Sequence, residues 1–116
     1  NDVAQITEQD SISDCATKMT EKPLGAALLL DNKKLLGIIT EGDIRKSIAT
    51  SNEFSQPIKK FINYNPIAVN PSISILDAMK VMEDRSSQIS VLPIVDSNSN
   101  CLGLLTLHDL YQTKLV

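Results

Sequence analysis

Two pairs of residues carry most of the chemistry this chain could perform: Thr40 with Asp43, and Thr106 with Asp109, in the same three-residue spacing. Threonine at a helix N-cap accepts a hydrogen bond from the third helical amide, and an acidic side chain at that third position reaches back. Such a capping box stabilises a helix start by ~1 kcal/mol. The same groups suit a ligand. The amides and positive dipole end of a helix N-terminus attract a phosphate, to which a threonine hydroxyl also donates, while a carboxylate accepts from the adjacent hydroxyls of a ribose. A nucleotide presents both groups, so each pair fits either a cap or a nucleotide contact.

The elements that must position these pairs come from an internal repeat. Leu36-Gly37-Ile38-Ile39-Thr40-Glu41-Gly42-Asp43-Ile44 matches Leu102-Gly103-Leu104-Leu105-Thr106-Leu107-His108-Asp109-Leu110, 66 positions later. Upstream, Ile12 to Met19 matches Ile75 to Met82, 63 positions later. In the first copy, Val3 to Thr7 reads as a strand and Ser11 as the cap of a helix with Ile12, Cys15, Ala16 and Met19 on one face, ended by Pro23. Ala26 to Leu30 reads as an inner strand, Asp31 to Lys34 as a turn, and Leu35 to Thr40 as the returning strand. A helix follows from Glu41 to Ala49, with Ile44 and Ile48 facing inward. The second copy repeats the series: strand Ile67 to Asn70, a helix burying Ile75, Ala78, Met79 and Met82, strands Ile89 to Val95 and Cys101 to Thr106, and a helix from Leu107.

The expected fold is therefore α/β, with two β-α-β-β-α repeats at residues 1–52 and 66–116. Residues 53–65 form a linker with a short helical pattern at Ile58, Phe61 and Ile62. A unit of roughly 40 to 60 residues has a marginal core, so the copies are expected to pack together about a pseudo-twofold axis, with ligand clefts where they meet.

Composition narrows the function further. Of 116 residues, 42% are hydrophobic and 22% charged, which is ordinary for a globular domain. The net charge of −3 and only two Phe, two Tyr and no Trp argue against nucleic acid, whose binders present basic stripes and stacking aromatics. No apolar run nears the ~20 residues of a membrane span and no signal peptide is recognisable, so a cytoplasmic location without membrane contact is expected. The chain begins at Asn1 close to a strand, and is expected to be a piece of a longer protein. Cys15 and Cys101 lack metal-ligand spacing and are expected to be reduced and buried. No nucleophile stands beside a base and no glycine-rich phosphate loop occurs, so neither catalytic nor metal-binding residues are assigned and no cofactor is required.

These residues resemble tandem cystathionine-β-synthase-type (CBS) domains, the Bateman module, over essentially the whole chain. The family's Gly-x-x-Thr-x-x-Asp motif stands here as Gly37, Thr40, Asp43 and as Gly103, Thr106, Asp109. Leu92-Pro93-Ile94-Val95-Asp96 resembles its base-holding segment, which in the first copy is Ala27-Leu28-Leu29-Leu30-Asp31, without proline. The resemblance implies a regulatory module in which Thr and Asp contact phosphate and ribose. Its ligand residues are Thr106, His108, Asp109, Pro93, Thr40, Asp43 and Arg45, with the second copy the better site. His108 also fits an exposed first-turn residue, and Arg45 with Lys46 a solvated charged face.

A narrower resemblance is to the C-terminal CBS pair of arabinose 5-phosphate isomerases, carried by Gly37 to Lys46 and Leu107-His108-Asp109-Leu110. It implies a missing N-terminal isomerase domain as partner, homo-oligomer assembly and a nucleotide or nucleotide-sugar effector. The candidates are the CMP-activated sugar 3-deoxy-D-manno-octulosonate and an adenine nucleotide. The alternatives are a ligand-free structural or oligomerisation module, and a CBS pair attached to a sugar nucleotidyltransferase.

Overall fold

Hydroxyl and carboxylate side chains spaced three apart start the helices, and alternation of apolar segments with turns sets the strands between them. The computed structural model describes residues 3–50, 54–83 and 89–114. The expected linker's first residue, Glu53, and the outer limits expected for the repeats, residues 1, 52 and 116, lie outside these. The chain divides into two compact units, Asn1–Pro66 and Ile67–Val116.

In the first unit, β1 (Ala4–Ile6) leads to α1 (Ile12–Glu21), β2 (Ala26–Asp31), β3 (Lys34–Thr40) and α2 (Glu41–Thr50). The sheet order is β1-β2-β3, with β1 parallel to β2 and β3 antiparallel. Asn32 and Lys33 turn the β2–β3 hairpin with φ of 52° and 74°, the positive values a two-residue loop needs to match strand twist. Ser11 caps α1 as expected, accepting from the Asp14 amide while the Asp14 carboxylate accepts from the Ser11 amide. Ile12, Cys15 and Met19 bury one face of α1 against Ala4, Ile6, Ala27, Leu29 and Ile39. Ile44 is buried on α2, but Ile48 is 43% exposed, contrary to its expected inward position. The inner face instead passes through Ser47, whose hydroxyl satisfies itself on the Ile44 carbonyl at 2.6 Å.

The linker is integral to this first unit. Phe54 and Gln56 carbonyls accept from the Ser13 and Ile12 amides, and the Ile58 amide donates to the Asp10 carbonyl at 2.7 Å. A 3-10 turn (Ile58–Phe61) inserts Ile58 and Ile62 into the core, and Asn63 pairs antiparallel with Ile38 through two bonds of 2.8 and 3.0 Å. Gly37 permits this approach: a Cβ there would lie 2.7 Å from Ile62 Cγ2 and 3.0 Å from the Asn63 oxygen.

The second unit contains α3 (Ile75–Glu83), β4 (Val91–Val95), β5 (Cys101–Thr106) and α4 (Leu107–Lys114). Ala78, Met79 and Met82 bury α3 against Val69, Leu92 and Leu110. Ile75, expected on the buried stripe, is 42% exposed, because it stands in the first turn ahead of that contact. The expected strand Ile67 to Asn70 shrinks to a single parallel bridge between Val69 and Ile94. Val69 donates to the Pro93 carbonyl and accepts from the Val95 amide, both at 2.9 Å. The preceding rung would need an amide hydrogen on residue 93, which proline lacks. The repeat otherwise persists to fine detail, since the β2–β3 and β4–β5 registers both shift at one place, Leu29/Leu30 and Ile94/Val95.

Two stability tests follow from the first unit. Gly37→Ala is expected to cost ~1 to 3 kcal/mol in chemical denaturation, because Ile62 or the Asn63 backbone must move; a cost near zero contradicts the packing. The half-buried Asp10 accepts from Lys18 Nζ at 2.7 Å and from the Thr7 amide at 3.0 Å. Burial alone would raise its pKa, but these partners outweigh burial and hold it below the usual 3.8. The ionised Asp10 therefore stabilises the fold above the unfolded-state pKa, and that increment disappears as pH falls through the lower folded value. The stability gap between wild type and Asp10→Asn should be full at neutral pH and close below about pH 4; a gap unchanged down to low pH contradicts the pairing.

Candidate functional site

Strand ends deliver both Thr-x-x-Asp motifs directly into helices. At the end of β3, the Thr40 amide donates to Asp43 Oδ2 at 2.9 Å and the Asp43 amide returns a bond to Thr40 Oγ1 at 3.3 Å. The Thr40 hydroxyl also donates to Asp43 Oδ2 at 3.1 Å. At the end of β5, the Thr106 amide donates to Asp109 Oδ2 at 3.1 Å and the Asp109 amide to Thr106 Oγ1 at 3.0 Å. Both are capping boxes, so the structural role read from the sequence is realised in each copy.

The same device recurs where no ligand role was assigned. Ser11 with Asp14 and Ser74 with Asp77 stand at the starts of α1 and α3, and Ser74 Oγ accepts from the Asp77 amide at 3.0 Å. The four α-helices among the described residues thus begin Ser/Thr-x-x-Asp, a regularity already present in the sequence at Ser74.

What separates α1 from α2 and α4 is the fate of the remaining first-turn amides. In α1, the linker carbonyls of Gln56 and Phe54 take the amides of Ile12 and Ser13, closing that end. In α2 the first amide, Glu41, donates to the Gly25 carbonyl at 3.2 Å, and in α4 Leu107 donates to Ser90 at 2.8 Å. The box uses the third amide in each. The second amides, of Gly42 and His108, are the first-turn donors these contacts leave unused, and they lie beside the aspartate of their own motif.

Exposure differs between the copies. Thr40, Asp43 and Thr106 are half-buried, whereas His108, Asp109 and Arg45 are exposed. The chain thus brings together Thr106, His108 and Asp109 in one helix start, and Thr40, Asp43 and Arg45 in another. Pro93 stands apart from these helix starts: its side chain is fully buried in β4 and its carbonyl accepts from the Val69 amide. A cavity within the second unit borders its motif through Leu105 and Leu110, which flank Thr106 and Asp109. It has a volume of about 130 Å³ and is lined by Asn70, Ser74, Ile75, Ile94 and Leu105 among others.

Reactive alternatives are not supported by the electrostatics. Burial pushes the Cys15 thiol up to about 11, reinforced by Asp10, and burial also raises Cys101. Both thiols are free, Cys15 buried as expected and Cys101 only half-buried. Among the described residues, no group of three or more His, Cys, Asp or Glu could hold a metal ion, and no helix is long and apolar enough to cross a membrane.

Comparison with known proteins places this geometry in context. The CBS domain family matches residues 1–50 and 58–114. Arabinose 5-phosphate isomerase KdsD of Francisella tularensis is 30% identical over 116 residues, which is 99% of this chain and 35% of that protein. The chain spans about a third of the length of the first curated relatives it matches. A crystal structure of a CBS domain, NE2398, aligns with TM-score 0.84 and 26% identity over 98% of this chain and 88% of that one. The CBS domain protein PAE2072 of Pyrobaculum aerophilum, solved in complex with AMP, aligns with TM-score 0.78 and 22% identity over 92% of this chain and 82% of that one. With the family matched in both repeats and the fold shared, this chain belongs to the CBS domain family as a pair of CBS domains.

Proposed function

We propose that this CBS pair is the regulatory nucleotide-sensing module of a sugar-phosphate isomerase of the arabinose 5-phosphate type. The observation that carries the reading is the repeated helix start in which strand carbonyl and capping box leave one amide, Gly42 or His108, beside an aspartate. That amide receives a phosphate, and the aspartate receives the ribose diol. As functional units the repeats are residues 1–52 and 66–116, joined by 53–65.

Thr106, His108 and Asp109 make the principal site, and Thr40, Asp43 and Arg45 the weaker one. Asp109 is the more accessible carboxylate of the two, and Arg45 adds positive charge in the first copy. Pro93 acts by setting the course of β4. An adenine nucleotide is the preferred effector, supported by the AMP complex of the Pyrobaculum relative. The CMP-activated sugar 3-deoxy-D-manno-octulosonate is its competitor, as the product toward which an arabinose 5-phosphate isomerase works. The isomerase domain is the module's partner in the longer, cytoplasmic protein. Exposed Leu76 and Leu102 support assembly into a homo-oligomer.

One observation favours the alternative of a ligand-free structural module: the same box caps α1, and Ser74 accepts from the Asp77 amide at the start of α3, so capping alone accounts for the motif at α2 and α4. Ligand binding and stability separate the readings. In calorimetry with AMP, ATP, CMP and the CMP-sugar, Asp109→Ala should weaken the tightest ligand by roughly 10- to 150-fold, the loss of one charge-assisted contact. Asp43→Ala should weaken it less. Both variants should lose ~1 kcal/mol of stability as caps. No binding by any ligand at millimolar concentration would overturn the sensing account, and equal affinity losses in the two variants, or none at Asp109, would overturn the ranking of the two sites.

A further inference from the structure

The first unit holds a second recognition surface, on the segment that joins the repeats. A cavity of about 610 Å³ is lined by Gln56, Pro57, Lys59, Lys60, Ile62 and Tyr64. That volume suits a small molecule, whose sites span ~300 to 1,000 Å³. We propose that this cavity binds a small phosphomonoester, a phosphate carried on a short hydroxylated carbon skeleton.

Charge points to an anion. The chain carries −3 overall, yet both ionisable ammonium groups on this lining are cationic and neither joins an ion pair among the described residues. Lys60 Nζ lies 5.7 Å from the centroid of the Phe61 ring, a contact that occupies none of its hydrogen-bond donors. Two adjacent ammonium groups match a dianion better than a carboxylate of single charge. The acidic groups near this segment among the described residues are already engaged: Asp10, whose carbonyl accepts from the Ile58 amide, pairs with Lys18 Nζ at 2.7 Å, and Glu8 accepts from the Tyr64 hydroxyl and lines a neighbouring cavity with Ile6, Thr7 and Leu36.

The remaining lining fits the carbon skeleton. Pro57, Ile62 and the Tyr64 ring offer apolar faces to C–H groups, and the Gln56 amide offers both a donor and an acceptor to hydroxyls. The backbone is already set. Gln56 is held by Ile12, Ile58 by Asp10, and Asn63 by Ile38, so a ligand meets a segment whose ordering cost folding has covered. This site is independent of the Thr-x-x-Asp motifs.

Titration of the isotope-labelled chain with glucose 6-phosphate, inorganic phosphate and glucose, followed by amide NMR, tests the proposal. Glucose 6-phosphate should shift the amides of Gln56 to Tyr64, phosphate should do so more weakly, and glucose not at all. The double variant Lys59→Gln/Lys60→Gln should weaken glucose 6-phosphate binding by about tenfold or more, while Asp109→Ala leaves it unchanged. Both lysines are exposed, so the double variant should melt with the wild type. No shifts at these amides by ~10 mM ligand, equal binding by the double variant, or shifts caused by an acidic peptide but not by glucose 6-phosphate would overturn it.

Discussion

The α-helices among the described residues depend on one contact, the bond that a Ser or Thr hydroxyl accepts from the amide three residues on, where an aspartate stands. A helix leaves its first-turn amides without internal partners, and short helices of eight to ten residues have little propagation to offset a poor start. Placing the same box after Asp10, Thr40's strand, Ile73 and β5 fixes where every helix begins, and therefore which faces meet the sheets. The strands then need only short turns, and the core residues of each unit fall into place on one side.

That constraint also explains how a structural device can become a recognition site. In α1 the linker carbonyls complete the cap and leave nothing for a ligand. In α2 and α4 the helix follows a strand without an intervening residue, and the residue just ahead of the neighbouring strand, Gly25 or Ser90, reaches only the first amide. A single donor is left beside a carboxylate in each.

Much of this was legible in the sequence. Self-similarity at 63 and 66 positions located the strands and helices closely, because strand-turn-strand-helix passages such as Leu36 to Ile44 recur almost unchanged. Helix periodicity was less dependable at the margins. Ile48 and Ile75 satisfy the spacing but stand outside the contact region, and Ser47 takes the inner position because its hydroxyl can bond its own helix. The strand at Ile67 to Asn70 was overread because its partner's Pro93, read for ligand binding, has a backbone consequence that composition alone does not reveal. The linker's place in the first core was invisible too, since it depends on Gly37 admitting Ile62 from 25 positions away. At the two Thr-x-x-Asp helix starts, the motif named the capping atoms, but only the hydrogen-bond arrangement tells which amides the fold consumes.

The most direct test of that arrangement is amide hydrogen exchange at Gly42 and His108, measured with and without saturating AMP. With Thr40, Asp43, Thr106 and Asp109 amides bonded inside the boxes, the account predicts slow exchange at those four in both conditions. His108, and to a lesser degree Gly42, should exchange fast in the unliganded protein and slow on AMP binding. Protection of His108 before ligand is added, or no change there when AMP is bound, would contradict the claim that the capped helix start is also the nucleotide site.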